Sequence, residues 1–425
     1  MEEQRRSRRN FLQNITITLL SILAVVLLAR SQLSSLELPA AYDEAAGTAN
    51  QIISASPAAG LTAPVRVAVT GAYGRYGSGT MLTGSDVFTE PLGRCLLEAL
   101  GSARDYAVCG NGDFLRALEG TSLYYDFLEP LPLSVLAGLV GGGEELSPRE
   151  DLNARRLLIA PQDGGIALYL WDGRENCHRA ATAVSADSLD QIIGRYELGG
   201  AVFAMDGGAD SPERELAPCS LLLSELPELP AYTVGDPLAS TDWLLSALGF
   251  NPRSQTRHTE SSGTELIMDR DRTVRIRPDN SVFYQSGQTP TLKIRSAGEQ
   301  PTLREAALGA GALLGDLLTP VSGEARLYLR GLRRNGETTV LRFGYQLGGV
   351  PVRFQDGGFA AEITLTGAGV TALTVRFRQY NPAGEPSLLL PLAQALAVAA
   401  KDPGKELSVG YVERNGECRA YWLSD

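Results

Sequence analysis

The sequence predicts an α+β fold: a single N-terminal transmembrane helix followed by two or three extracellular α+β domains with antiparallel sheets. Three observations predict it. An uncharged run from Phe11 to Ala29 stands directly behind Arg5, Arg6, Arg8 and Arg9, and its length is close to the ~20 residues that cross a bilayer's hydrocarbon core. Beyond it, short apolar-alternating segments are joined by tight turns such as Asn335-Gly336 and Asn415-Gly416, a strong hairpin signal. Segments with helical spacing separate these meanders, and antiparallel strands with helices laid on one face make an α+β domain.

Residues 1–10 read as a basic cytoplasmic tip and 11–30 as the anchor, because basic residues stay on the cytoplasmic side. A cleaved signal peptide needs a shorter apolar core and a small-x-small site, and Leu27-Leu28-Ala29-Arg30-Ser31 is a poor one. Asn14, Thr18 and Ser21 are spaced four and three apart and share one helix face. They form a candidate contact for a partner helix, since polar side chains in lipid seek partners. The alternative is that Gln13, Asn14 and Thr16 sit near the cytoplasmic interface and need none.

Residues 31–62 read as a helical tether and 63–215 as an N-terminal ectodomain. Within it, Val65–Val69 alternates as a strand should. Ser85–Leu100 places Leu92, Leu96, Leu97 and Leu100 at helical spacing, with Gly101 as the stop. Tyr124–Leu128 reads as a strand and Leu133–Val140 as a short helix. Arg156–Ala160, Ile166–Trp171 and Cys177–Val184 read as further strands, and Ser188–Tyr196 as a helix. The proline-rich stretch 216–235 is taken as a connector. In a central domain, 236–300, helix Thr241–Leu248 precedes a meander of three strands between Glu265 and Gln285. A C-terminal domain, 301–425, repeats helix then meander, which suggests an internal structural repeat. Its helices are Glu305–Leu318 and Ser387–Ala400, and its hairpins turn at Asn335-Gly336, between Thr366 and Ala372, and at Asn415-Gly416.

The formal net charge is -11, and the part beyond Arg30 carries about -14 once the +3 of residues 1–30 is set aside. That argues against a nucleic-acid partner, which needs a basic stripe. Cys95, Cys109, Cys177, Cys219 and Cys418 are scattered without a C-x-x-C spacing, so neither a zinc ribbon nor a thioredoxin-like site is expected. Mostly free buried thiols are expected, with Cys95–Cys109 the nearest pair in sequence.

No catalytic constellation emerges. Gly71–Thr80 reads GAYGRYGSGT after a strand, but a P-loop ends in Lys beside Ser or Thr, so a Gly/Tyr hairpin or loop is the better reading. His178 adjoins Cys177, and neighbours on a strand point to opposite faces, which spoils a Cys–His pair. His258 lies in a polar segment. Asp269 and Asp271 read as a turn, since hard cations want six or more oxygens. Arg270, Arg272, Arg275 and Arg277 form an arginine cluster, with Arg275 and Arg277 on one strand face that meets either solvent or an acidic partner. No cofactor or metal is implied, and a non-enzymatic protein is expected.

Three local stretches carry a family likeness. Tyr124–Leu133 (YYDFLEPLPL), Leu157–Ile159 followed by Ile166–Asp172 (IALYLWD), and Phe343–Val352 (FGYQLGGVPV) sit behind a basic tip and one anchor. This arrangement resembles the YycH family of Gram-positive bacteria, and the last stretch is similar to one shared with the related YycI proteins. The resemblance implies a single-pass protein of the cell membrane, N-terminus cytoplasmic and C-terminal region extracellular, that regulates a two-component sensor histidine kinase controlling cell-wall metabolism. Its implied partners are that kinase and a YycI-like protein. The family has no catalytic motif to carry over. The competing expectation is an envelope scaffold or wall-binding protein.

Overall fold

Strand residues outnumber helical ones by two to one, 45% against 22%, and this balance decides the class. The computed structural model describes residues 51–53, 61, 64–79, 91–139, 152–226, 228–235, 237, 240–251 and 254–424. The expected α+β chain, with a transmembrane helix leading into two or three separate α+β domains, is corrected to a mostly β protein built on large antiparallel sheets. Among the described residues no helix is long and apolar enough to cross a membrane. The run Phe11–Ala29, with Asn14, Thr18 and Ser21, lies outside the described residues. Residues Asn50–Asp425 form one compact unit.

A seven-stranded antiparallel sheet is ordered Gly74–Ser78, Arg66–Gly71, Ser122–Pro132, Asn153–Gln162, Gly165–Trp171, Cys177–Ala181, Arg104–Cys109. Both of its faces are covered. Leu123, Tyr125, Leu157 and Leu168 face helices Pro91–Ser102, Leu133–Leu139 and Ala186–Ile193. On the other face, Tyr124, Leu158 and Trp171 meet Phe114 and Leu118 of helix Asn111–Glu119 and the ribbon of Ala201–Phe203 with Leu221–Leu223. Burial on both faces explains why its central strands read as continuous apolar runs rather than as an alternation.

A fifteen-stranded sheet holds the rest. Its main path begins Thr256–Thr259, Glu265–Asp269, Arg272–Ile276, Ser281–Gln285 and continues Gly369–Arg376, Ala361–Thr366, Thr338–Leu347, Val350–Phe354. It ends Leu407–Arg414, Glu417–Ser424, Pro230–Gly235, Gln379–Pro386. The meander of the expected central domain therefore runs straight into the expected C-terminal domain, with Val282 opposite Val375 and Tyr284 opposite Leu373. Hydrophobic patterning marks each hairpin, but it does not say which free edges will join. The expected connector supplies strands to two sheets: Leu221–Leu223 to the ribbon and Pro230–Gly235 to the long sheet.

Helix Leu303–Leu318 bridges the halves. Thr302 and Glu305 cap its start reciprocally, with Glu305 N–H donating to Thr302 Oγ1 at 3.1 Å and Thr302 N–H to Glu305 Oε2 at 2.8 Å. Its apolar face meets the long sheet and helix Leu133–Leu139, so one hydrophobic core joins both sheets.

Candidate functional site

The site starts from a break in one strand. Ser122–Pro132 pairs with Asn153–Gln162 from Leu123 opposite Ile159 to Asp126 opposite Arg156, and the pairing resumes only at Leu131 opposite Ala154. Phe127–Pro130 therefore bulge out of the ladder, with Leu128 at φ 69, a left-handed conformation uncommon for a bulky side chain. Asp126 holds the bulge: its Oδ1 accepts the Leu128 N–H at 2.8 Å.

Asp126 is itself held by three arginines. Arg155 donates Nε at 2.9 Å and Nη2 at 3.1 Å, and Arg66 Nη1 and Arg156 Nε each lie 3.5 Å away. Glu406 enters from the far end of the chain and accepts from Arg155 Nη2 at 2.6 Å, from Arg156 Nη2 at 2.9 Å and from Arg66. The Arg156 guanidinium also lies over the Trp171 ring, 4.9 Å from its centre. Arg66, Asp126, Arg156 and Glu406 are buried. Burial alone pushes both carboxyls up, but Arg155, Arg156 and Arg66 override it for Asp126, and Arg66, Arg156 and Arg155 do so for Glu406. Both end below their ordinary values.

That direction fixes a pH dependence. A carboxyl with a depressed folded-state value contributes stability that is fully present above its unfolded value, about 4. This contribution is lost as pH falls through the depressed values. Thermal melts are expected to be flat from about pH 8 to pH 5 and to fall progressively below about pH 4. Glu406→Gln should melt lower at neutral pH and fall less steeply in acid.

The bulge forms one wall of a cleft of about 590 Å³ that lies between the two sheets. Glu129 and Pro130 of the bulge and Asn153 line this wall. The turn after Gly165–Trp171 adds Asp172 and Arg174. Asp172 fixes that turn, its Oδ1 accepting Arg174 N–H at 2.8 Å and Asn176 N–H at 3.1 Å.

The hairpin Arg326–Asn335 with Thr338–Leu347 forms the opposite wall. Residues opposite one another on antiparallel strands share a face, so Gly331 with Arg342, Arg333 with Val340, and Asn335 with Thr338 all turn to the cleft. A register shift between Leu329 and Gly331 adds Arg330 to that face. Arg330 and Arg342 both lie over Phe359, at 5.1 and 4.7 Å. Arg330 reaches Glu129 at 3.6 Å, and Arg342 pairs with Glu362 at 2.7 Å. Arg174 and Arg333 are exposed and make no ion pair among the described residues. Four arginines thus face two carboxylates, Glu129 and Asp172, in a chain of net charge -11. The cleft can bind an anionic group: two guanidiniums are available and an aromatic floor is already stacked.

The residues singled out in the sequence do not assemble. Arg66–Gly71 and Gly74–Ser78 form a hairpin with Tyr73 exposed at its tip. His178 sits opposite Val108 and Leu170, on the face away from Cys177. His258 is exposed on the edge strand Thr256–Thr259. Asp269 is buried against Arg272 and accepts from Ser254 Oγ at 2.7 Å, whereas Asp271 accepts from Gln288 N–H at 2.8 Å. These two carboxylates serve separate turns. Arg275 and Arg277 are exposed, but Arg272 is buried beneath Phe250, 4.7 Å from its centre. Cys109 meets Cys177 rather than Cys95, which lies in the other core. Among the described residues no three His, Cys, Asp or Glu side chains converge as a metal set.

Sequence reading missed both the buried ion cluster and the cleft. The cluster had a signal: Arg66, Asp126 and Arg155-Arg156 each interrupt an apolar strand. The cleft draws on five separate segments and had none beyond the density of arginine at Arg330, Arg333 and Arg334.

No family model and no curated protein matches the chain. Among solved structures, an uncharacterized protein from Eubacterium rectale aligns with 47% of this chain and 76% of its own, at 12% identity and a TM-score of 0.29. At that similarity nothing about fold or activity transfers.

Proposed function

We propose that the chain is a non-enzymatic, extracytoplasmic regulator of a sensor histidine kinase that acts by protein contact, with a YycI-like protein as a further partner. In this reading the basic tip and the uncharged run Phe11–Ala29 keep it at the cell membrane, N-terminus inside and body outside. The likeness of Tyr124–Leu133 and Phe343–Val352 to the YycH and YycI families supports the choice of partner. The observation that carries the contact reading is the arginine-lined cleft, with Arg174 and Arg333 open to an acidic surface. A partner that binds one kinase state better shifts the population toward that state by its differential affinity.

The test uses the full chain recovered from membranes with its bound partners. Arg174→Glu with Arg333→Glu is expected to weaken retention of the kinase about tenfold or more at low salt, because like charges then meet across the contact. Kinase output should change in parallel. Unchanged retention and output would remove the cleft from the contact. Recovery of wall fragments in place of membrane proteins would favour the envelope scaffold.

A further inference from the structure

Two cysteines that sequence spacing does not join stand face to face at the edge of the seven-stranded sheet. Cys109 ends the edge strand Arg104–Cys109 and lies directly opposite Cys177 in antiparallel register, with Sγ to Sγ 2.8 Å. Directly opposed residues have Cα atoms about 4.5 or 5.5 Å apart, and both separations fall within the range a disulfide spans. Cys177 is buried beneath the sheet with Phe114 and Trp171, and Cys109 packs beside them while half-exposed. An oxidant can therefore reach one sulfur of the pair from solvent.

The remaining three thiols are placed differently. Cys95 belongs to the opposite core, Cys418 lies on a strand of the long sheet, and Cys219 shares the core of Cys177 but sits near Arg156 of the buried ion cluster. Burial raises all five thiols, Cys109 and Cys177 among them, so ease of ionisation does not single out a pair; the face-to-face placement of Cys109 and Cys177 does.

The edge strand needs a fastener. All six of its residues are exposed or half-exposed, Val108 is 81% exposed, and the register slips between Arg104 and Ala107. Just past it, Asp113 caps helix Asn111–Glu119 through the Gly110 N–H at 2.9 Å, which holds Cys109 close to a fixed element.

We propose that Cys109 and Cys177 are a disulfide site that locks this edge strand to the sheet. Both S–H bonds are lost and one S–S bond forms. The two electrons and two protons pass to a small disulfide donor, whose own S–S bond breaks to give two thiols. This step stands independently of the kinase reading.

The experiment equilibrates the full-length protein, in detergent, with glutathione disulfide at mildly alkaline pH. Thiols are then counted after denaturation, and a non-reduced digest is mapped. The expected result is a fall from the five thiols of the free chain to three, with one linked peptide pair joining Cys109 to Cys177. Cys177→Ser should show no intramolecular link, and Cys95→Ser should keep it. Five persisting thiols, a link through Cys95, Cys219 or Cys418, or a lasting glutathione adduct on Cys109 in place of the link would overturn the assignment.

Discussion

Asp126→Ala is expected to destabilise the protein by about 3–5 kcal/mol, the range for removing one partner of a buried ion pair. The loss follows from what stays behind. Arg66 and Arg156 remain buried and Arg155 remains 19% exposed, with Glu406 as the one carboxylate facing all three. Asp126→Asn keeps the shape and can still accept the Leu128 N–H, yet it leaves the same excess of positive charge. It should therefore cost nearly as much as alanine. Removing a cation together with the anion separates the charge from the cavity: Asp126→Asn with Arg155→Met should recover part of the loss, since a buried pair is worth little net against apolar groups of similar size. Urea unfolding checks the series, read as midpoints at constant slope. A loss below about 1 kcal/mol for Asp126→Asn, the value for an exposed pair, would mean that water reaches the cluster. The variants also test the tie between cluster and cleft. Without Asp126 the bulge at Phe127–Pro130 loses its backbone anchor, and Glu129 no longer has a fixed place opposite Arg330.

Much of the local structure was legible, for identifiable reasons. The hairpin across Asn335-Gly336 is where its turn residues place it, with Asn335 opposite Thr338. Helix Leu303–Leu318 begins at the Thr302–Glu305 capping box, two residues from the expected start at Glu305. Helix Thr241–Ala247 starts at the expected Thr241 and ends one residue short of the expected Leu248. The strand Arg104–Cys109 and helix Asn111–Glu119 were missed because the strand is largely exposed and the helix spans only nine residues, with Phe114 and Leu118 its only buried side chains. The stretch 216–235 reads as a connector because Pro218, Pro227 and Pro230 mask the strand Pro230–Gly235, yet Pro230 stands at the first strand position and beside a bulge, where a missing N–H is tolerated. The class is decided at a higher level. Each helix-then-meander unit is visible locally, but the pairing of Ser281–Gln285 with Gly369–Arg376 spans about 90 residues, and no local rule encodes it. The cleft was hidden for the same reason, since Glu129, Arg174 and Arg333 meet only after both sheets have formed.

Gly323→Ala is expected to cost roughly 2–5 kcal/mol, combining a left-handed backbone penalty of about 1–2 with overpacking of about 1–3. Gly323 sits at the corner where the chain leaves helix Leu303–Leu318 and enters strand Arg326–Asn335. Its φ is +63, and an added Cβ would stand 2.3 Å from the Tyr380 carbonyl oxygen and 3.1 Å from its carbon. The obstacle is backbone, pinned on both sides: Glu324 N–H donates to Tyr380 O at 3.0 Å, and Tyr380 N–H donates to Ser322 O at 3.2 Å. Tyr380 cannot retreat, because its ring is fully buried and its hydroxyl is bonded to Glu413 Oε2 at 2.8 Å. Gly336→Ala supplies the control. Gly336 has nearly the same φ, +59, but nothing within 4 Å of the added carbon. It should lose only the conformational part, about 1–2 kcal/mol. The difference between the two variants in thermal or urea unfolding therefore measures the close approach of the helix exit to the Tyr380 strand. Equal losses would show that the corner relaxes, and that the junction between helix and long sheet is looser than these contacts require.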